Sequence, residues 1–235
     1  MNVISKGRYK YIQYKVGNAK AIFITADGPD FNLKNTEYVQ AFKEIRDIFN
    51  LDDIAYSIQI HSDIIHIYDG NIYEGDAIIT NKLSTAAGIF TADCVPILMY
   101  DTKNKICAAV HSGWKGTYSK IVMKTVEKMK KVYGSKSEDI NVFIGPHIRS
   151  CCYEVGKDLI DKFCNDDIYK GYNISSKNML NLEKCIRIQC IKSGILEEKI
   201  ESTNLCTFCS SEIKLHSYRR NNEKSGRLFS FIYAV

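Results

Sequence analysis

Two apolar runs joined by a short turn constrain the fold of this chain more than any other stretch. Residues 95–100 and 106–110 have the length and apolar content of buried strands, and the polar residues 101–105 between them are typical of a turn. The pattern therefore predicts a β-hairpin. Because a hairpin returns the chain to its starting point, Cys94 and His111 at its open end are predicted to approach each other.

The remaining segments mix strand and helix patterns without a regular βαβ rhythm. Strand patterns cover residues 9–16, 19–25, 56–60, 64–68, 75–80, 85–90, 140–144 and 228–233. Apolar residues at helical spacing predict helices over residues 38–49, 122–133, 155–163 and 181–193. Since no repeat or linker divides these elements, residues 1–235 are predicted to form one α+β domain, with a mixed sheet or two sheets and helices outside.

Composition and charge argue against several kinds of partner. The net charge is +5, but the lysines are scattered, so the sequence predicts no nucleic-acid surface. Residues 1–16 lack the apolar core of a signal peptide, and no apolar run approaches the ~18 residues of a membrane span. The sequence therefore predicts a cytoplasmic protein with no membrane partner, in which the nine cysteines are thiols.

Three residues at predicted strand ends, His61, Cys94 and His111, carry the donor atoms of a zinc site. Three protein ligands leave the fourth tetrahedral position open, which is typical of catalytic rather than structural zinc. Copper accepts the same donors, so the residues alone do not decide the metal. The same side chains also allow metal-free chemistry, with Cys94 as nucleophile and His111 as its base.

A CxxC motif, Cys206 to Cys209, is the other cysteine feature of the sequence. A structural zinc site needs a second pair of cysteines, and the adjacent Cys151 and Cys152 are predicted to chelate poorly. The motif is therefore interpreted as a thiol pair that lines a turn or packs near the core.

Arginines near the end of the chain are candidates for binding an anion. Arg219, Arg220 and Arg227 lie around the turn at Gly226, and a guanidinium group can hold phosphate through two hydrogen bonds. Ordinary exposed arginines are the alternative interpretation.

Six sequence blocks, taken in order, resemble the YfiH/laccase-domain family. They are QIHSD (residues 59–63), EGDAIIT (74–80), TADCVPILMYD (91–101), AAVHSGWKGT (108–117), IGPHIRSCCYEVG (144–156) and the final CTFC…SYRR…SGR. The similarity in order and spacing extends over residues 22–232. It implies a single-domain α-β-β-α sandwich with mixed sheets and a metal at one end.

The resemblance implies that His61, Cys94 and His111 hold zinc, with copper as the alternative metal. It also implies an enzyme that uses phosphate to cleave adenosine, inosine, guanosine and methylthioadenosine to free base and ribose 1-phosphate, and that deaminates adenosine.

Roles in that reaction follow from position in the matching blocks. Asp93, Cys94 and His111 are the expected catalytic residues, with Asp93 orienting groups or moving protons. Arg219 and Arg227 are the expected phosphate contacts, and Lys115 is expected to assist them.

One departure from the family concerns phosphate. The family usually carries a Thr-Arg-Gly-Gly-like stretch after its first strands, where this chain has Ala26 in the place of the arginine. Any anion contact of that arginine must therefore come from another residue here. Copper-dependent oxidation of phenols and hydrolysis by a cysteine or zinc site stay open as alternative functions, and the protein is expected to be a monomer or homodimer.

Overall fold

The computed structural model describes residues 2–235. The strands are β1 (Asn2–Lys6), β2 (Tyr9–Val16), β3 (Ala19–Ile24), β4 (Asp53–Ala55), β5 (Ile65–Ile67), β6 (Ala77–Thr80), β7 (Thr85–Thr91), β8 (Val95–Asp101), β9 (Ile106–Ser112), β10 (Ile140–Ile144), β11 (Ser175–Ser176), β12 (Met179–Leu180), β13 (Ile200–Ser202) and β14 (Leu228–Ala234). The α-helices are α1 (Glu37–Phe49), α2 (Trp114–Tyr118), α3 (Ile121–Tyr133), α4 (Lys157–Cys164), α5 (Leu182–Lys192) and α6 (Tyr218–Asn221). Within this part of the chain, every helix is too short or too polar to cross a membrane.

Two six-stranded mixed sheets form the centre of the structure. The first sheet has the strand order β1-β2-β3-β14-β7-β4, and the second has the order β13-β10-β8-β9-β6-β5. Most neighbouring strands are antiparallel, whereas β4 with β7, β5 with β6, and β10 with β13 are parallel. The last strand, β14, lies between β3 and β7, so both ends of the chain belong to the first sheet.

The predicted hairpin is confirmed as β8 and β9. Its register sets Val95 opposite Ser112 and Pro96 opposite His111. Both strands are buried on both faces, which explains why their apolar runs are unbroken. Alternate side chains of β8 enter different cores: Val95, Ile97 and Met99 face the helices, whereas Leu98 and Tyr100 face the other sheet.

The elements form four layers in α-β-β-α order, with an apolar core between each pair of neighbouring layers. This arrangement confirms the predicted fold class. Helix α1 covers the outer face of the first sheet through Ala41, Ile45 and Phe49, which repeat at helical spacing. Helices α3 and α5 cover the outer face of the second sheet. The middle core lies between the two sheets.

The strand predicted for residues 56–60 is wrong. Strand β4 ends at Ala55, and the next residues form a loop in which Ile58 and Ile60 are exposed. The backbone N–H groups of Ile60 and His61 donate to the Asp76 carboxylate instead of to a neighbouring strand. The sequence also failed to predict β1 and β13, which are edge strands of the two sheets with incomplete burial and therefore a weak pattern.

Candidate metal centre and its cavity

The two ends of the hairpin and a preceding loop bring the three predicted ligands together. Cys94 lies immediately before β8, His111 lies in β9, and His61 lies in the loop after β4. Their ligand atoms are all within 4.8 Å of one another, and Cys94 Sγ is 3.8 Å from His61 Nε2. We call these three residues the His-Cys-His cluster. Their proximity is a fact of the structure, and their role as metal ligands stays a prediction.

A buried carboxylate, Asp76, contacts two members of the cluster, His61 and His111. Its oxygens accept hydrogen bonds from the backbone N–H of His61 at 3.0 Å and from the backbone and hydroxyl of Ser62 at 2.6 and 2.7 Å. The same carboxylate lies 2.7 Å from His111 Nδ1. With Nδ1 occupied, His111 has Nε2 left for a metal, which is the carboxylate–histidine arrangement common around zinc.

The sequence interpretation missed Asp76, although the residue lies in the matching block at residues 74–80. The available signal was an aspartate immediately before a largely apolar strand, where an unpaired carboxylate would be costly. No sequence spacing connects it to His61 and His111, because the contact depends on how the loop folds over β6.

Charges and hydrogen bonds within the cluster and from Asp76 shift the pKa values of Cys94, His111 and Asp76. Burial disfavours the Cys94 thiolate, but the imidazoles of His111 and His61 outweigh it and lower the pKa of Cys94 to about 6. Burial also disfavours a charged His111, yet the Cys94 thiolate and the Asp76 carboxylate raise the pKa of His111 to about 9. Despite its own burial, Asp76 has its pKa lowered to about 2 by hydrogen bonds from His111 and Ser62. The metal-free cluster at neutral pH is therefore a thiolate beside a protonated imidazole.

Close packing around the cluster requires glycine at position 113. A Cβ atom on Gly113 would lie 2.9 Å from Cys94 Sγ and 3.3 Å from His61 Cδ2. Backbone strain also concentrates here, since His61 and Asp93 have φ values of 58° and 91° without being glycine. The surrounding structure therefore holds the cluster in one arrangement.

Asp93 lines the cavity, but hydrogen bonds occupy its carboxylate. The hydroxyl of Thr207 donates to it at 2.5 Å, the hydroxyl of Ser217 at 3.1 Å, and the backbone N–H of Arg219 at 2.6 Å. These contacts fix two late loops against the residue before Cys94. The proton-transfer role of Asp93 stays a prediction.

A cavity of about 670 Å³ opens beside the cluster. A volume in this range suits a ligand the size of a nucleoside. Its walls combine the cluster with aromatic rings and two guanidinium groups: His61, Cys94, His111, Phe31, Phe90, Tyr153, Tyr218, Arg219 and Arg227.

The two predicted phosphate-binding arginines that line this cavity are held by backbone carbonyls. Arg219 donates from both Nη atoms to the carbonyl of Glu154, at 3.1 Å each, and lies 5.7 Å from the Tyr153 ring centroid. Arg227 donates from Nη1 to the carbonyls of Ser225 and Gly226. Each guanidinium group keeps further N–H donors for an anion.

Three other residues singled out in the sequence lie away from the cavity. Lys115 is exposed on α2 beside the Trp114 ring, and it does not line the cavity. Ala26, expected from the resemblance to stand in place of a family arginine, is buried in the core between the sheets. Arg220 is also absent from the cavity wall, because it donates to the carbonyls of Thr207, Phe208 and Leu215.

The fold and site together define a layered α-β-β-α protein with a two-histidine, one-cysteine cluster at the open end of its β8–β9 hairpin. A family model described as multi-copper polyphenol oxidoreductase laccase matches residues 27–235, and the chain belongs to this family.

Relatives that align over nearly the whole chain are named for a different activity from the one in the family description. A purine nucleoside phosphorylase of Clostridium acetobutylicum is 44% identical over 235 residues, which cover 99% of either chain. A purine nucleoside phosphorylase of Borreliella burgdorferi is 32% identical over 91% of this chain and 92% of its own. Among solved structures, the hypothetical protein YfiH of Bacillus licheniformis superposes with a TM-score of 0.83 at 29% identity, covering 92% of this chain and 93% of its own.

The histidine content bears on the copper in the family description. The sequence has five histidines, and within residues 2–235 only His61 and His111 join a cysteine in a possible ligand group. His66 instead contacts the carbonyl of Glu74, and His147 contacts the carbonyl of Gly145. A single copper fits two histidines and a cysteine, whereas a multi-copper site needs more imidazoles than gather here.

Proposed function

We propose that this chain is a zinc-dependent purine nucleoside phosphorylase. It converts adenosine, inosine, guanosine and methylthioadenosine to the free base and the corresponding ribose 1-phosphate, and it also deaminates adenosine. The observation that carries the proposal is the 670 Å³ cavity, in which metal-binding side chains, aromatic rings and two guanidinium groups converge. The names of the full-length relatives support the same reaction.

The donor set of the His-Cys-His cluster fits zinc. His61 and Cys94 face each other, and the Asp76 carboxylate fixes the His111 ring so that its second nitrogen is available. When bound there, zinc supplies Lewis acidity toward an oxygen of phosphate or water.

Different residues of the cavity bind the phosphate and the purine. Arg219 and Arg227 bind phosphate through guanidinium donors that their backbone contacts leave free. The rings of Tyr153 and Phe90 provide flat apolar surfaces for the purine. These arginines replace the anion contact that Ala26 cannot make.

Phosphorolysis joins a phosphate oxygen to C1′ of the ribose and breaks the C1′–N9 bond. The bonding electron pair leaves with the purine, which takes up a proton to become the neutral base. In deamination, water adds at C6 of adenine and ammonia leaves, giving inosine. We propose that Asp93 positions Arg219 and Cys94 for both reactions, since its carboxylate is engaged by Thr207, Ser217 and Arg219.

Chromatography of adenosine incubated with the zinc-loaded protein tests this function. Adenine that forms only when phosphate is present supports phosphorolysis, and inosine in both samples supports deamination. The absence of any base release with all four nucleosides would overturn the proposal.

A matched pair of variants tests the phosphate contact. Arg227→Ala is expected to raise the KM for phosphate by about tenfold or more, because hydrogen bonds to charged groups contribute about 1.5–3 kcal/mol. Lys103→Ala removes an exposed positive charge in the turn between β8 and β9, outside the cavity wall, and should leave that KM unchanged. Equal effects of the two changes would argue against a direct role of Arg227.

A cysteine hydrolase is the second candidate, because Cys94, His111 and Asp76 also have the order of a nucleophile, a base and an orienting carboxylate. The lowered pKa of Cys94 favours a reactive thiolate in the metal-free protein. Activity that survives a chelator but is lost on alkylation of Cys94 would favour this candidate. Activity lost with the metal and restored by zinc favours the phosphorylase.

A further inference from the structure

Four cysteines gather at a second place in the fold, outside the cavity. Cys151 and Cys152 belong to the loop after β10, and Cys206 and Cys209 belong to the loop after β13. Their sulfur atoms all lie within 4.8 Å of one another, and the Sγ atoms of Cys151 and Cys209 are 3.7 Å apart. We call these residues the four-thiol cluster.

We propose that the four-thiol cluster binds a second zinc ion as a closed structural site. Zinc at about 2.3 Å from each of four tetrahedral sulfurs holds those sulfurs about 3.8 Å apart, close to the separation seen between Cys151 and Cys209. Four thiolates fill the coordination sphere, which is the arrangement of structural rather than catalytic zinc.

The expectation that the adjacent Cys151 and Cys152 would chelate poorly rested on spacing alone, whereas the structure brings both sulfurs close to those of Cys206 and Cys209. In a strand, neighbouring side chains point to opposite faces, but Cys151 and Cys152 lie in a turn closed by hydrogen bonds from Cys152 N and Tyr153 N to the carbonyl of Arg149. The turn lets both sulfurs face the CxxC loop.

The CxxC loop has the backbone of a metal-binding turn. Burial disfavours the Cys206 thiolate, but the backbone N–H groups of Arg149, Cys209 and Phe208 outweigh it and lower the pKa of Cys206 to about 7. N–H groups aimed at a sulfur stabilise its thiolate form. The N–H of Ser210 donates to the carbonyl of Cys206 at 3.0 Å, which closes the turn.

Positive charge near both loops, from Arg149 on one loop and Arg220 on α6, offsets the negative charge of a zinc tetrathiolate. Arg220 donates to the carbonyls of Thr207 and Phe208, the two residues between the CxxC cysteines. Arg149 lies two residues before Cys151, and its guanidinium donates to Asn204 on the opposite loop at 2.9 and 3.3 Å.

The position of the cluster defines what the ion would stabilise. One loop continues from Cys152 into Tyr153, which lines the cavity, and the other carries Thr207, which donates to Asp93. A metal shared by the two loops would therefore hold the cavity wall against the residue preceding Cys94. The ion takes no part in the reaction.

Metal content of the reduced protein, loaded with zinc and desalted, tests the proposal. We expect about two zinc ions per chain in the natural protein and about one after Cys206→Ser with Cys209→Ser. Cys164→Ser is the matched control, because Cys164 is exposed but lies in neither cluster, and it should keep both ions.

X-ray absorption of the zinc-loaded Cys94→Ser protein gives a second measurement that does not depend on the double variant's folding. We expect a shell of four sulfurs at about 2.3 Å and no nitrogen. This readout is separate from nucleoside turnover, so it can fail or succeed independently of the phosphorylase. The proposal would be overturned by a nitrogen or oxygen shell, by unchanged zinc content in the double serine variant, or by a Cys151–Cys209 disulfide in the protein as isolated without reductant together with one zinc after reduction.

Discussion

The two cysteine-containing clusters of this protein are built on different supports. The His-Cys-His cluster lies at the end of the buried β8–β9 hairpin, and a buried carboxylate, Asp76, contacts two of its three members. The four-thiol cluster joins two loops at the surface, where Cys151 and Cys209 are exposed. One cluster borders the large cavity, and the other lies behind its wall.

This difference explains what each cluster can do. If His61, Cys94 and His111 bind a metal, three ligands leave one position open toward the cavity, as chemistry on a substrate requires. Four thiols leave no such position, but they can tie together loops that the sheets do not hold. The same metal would therefore be catalytic in the His-Cys-His cluster and structural in the four-thiol cluster.

Replacement of Cys94 should give the largest difference between the two clusters, because turnover depends on only one of them. We expect Cys94→Ser to lower phosphorolysis more than about 100-fold, because even the loss of a residue behind the ligands costs about 10–100-fold. The zinc of the four-thiol cluster should stay bound. Turnover assays with metal analysis check this, with Cys164→Ser as control, and near-normal turnover would remove the His-Cys-His cluster from the mechanism.

Asp76→Asn tests the rigid support of the first cluster. The change keeps the shape but removes the charge next to His111, so we expect zinc affinity and turnover to fall about 10–100-fold. Asp69→Asn is the control, since Asp69 is a carboxylate outside the cavity that contacts Asn71 and Tyr73. Competition with a chromogenic chelator measures the affinity, and equal affinities of the two variants would contradict the prediction.

Gly113→Ala tests the packing of the same cluster. The added Cβ would meet Cys94 Sγ at 2.9 Å, and overpacking of this kind costs about 1–3 kcal/mol, so we expect zinc affinity to fall about tenfold. Gly116→Ala is a matched control three positions along, where the nearest atoms lie at 3.4 Å. The same chelator assay applies, and a larger loss at position 116 would show that the clash argument is wrong.

Cys206→Ser with Cys209→Ser should affect stability more than catalysis. Loss of a bound structural ion is expected to lower the Tm by about 5–15 °C, while turnover falls less than in Asp76→Asn. Calorimetry with and without a chelator measures the shift. A triple variant that also carries Cys94→Ser lacks ligands of both clusters. If the chelator lowered the Tm of this variant as much as that of the natural protein, the four-thiol cluster would not be a metal site.

Proton release on zinc binding gives the smallest signal. Near pH 7.5 the metal-free first cluster holds Cys94 as thiolate and His111 protonated, so zinc should displace about one proton from His111 Nε2. The count should fall toward zero as pH rises above the His111 pKa of about 9, and increase below the Cys94 pKa of about 6. Calorimetry of the double serine variant in buffers of different ionisation enthalpy measures it, and a count independent of pH would contradict the assigned charges.

The layered α-β-β-α order was expected only from the family resemblance. The mixture of strands and helices, the hairpin and the proximity of Cys94 to His111 were determined by the sequence pattern itself. These follow from local periodicity, because a strand buried on both faces needs an unbroken apolar run and a short turn must reverse the chain. The helices at residues 37–49 and 121–133 followed in the same way from spacing and from Gly134 at the end of the second.

Only the tertiary structure decided which distant residues meet. Asp76 contacts His61 and His111 because the loop after β4 folds over the start of β6, and no pattern in the sequence encodes that path. The four thiols meet because two loops from adjacent parallel strands, β10 and β13, leave the sheet at the same edge. Periodicity reports burial of single residues, whereas these contacts depend on the packing of whole elements.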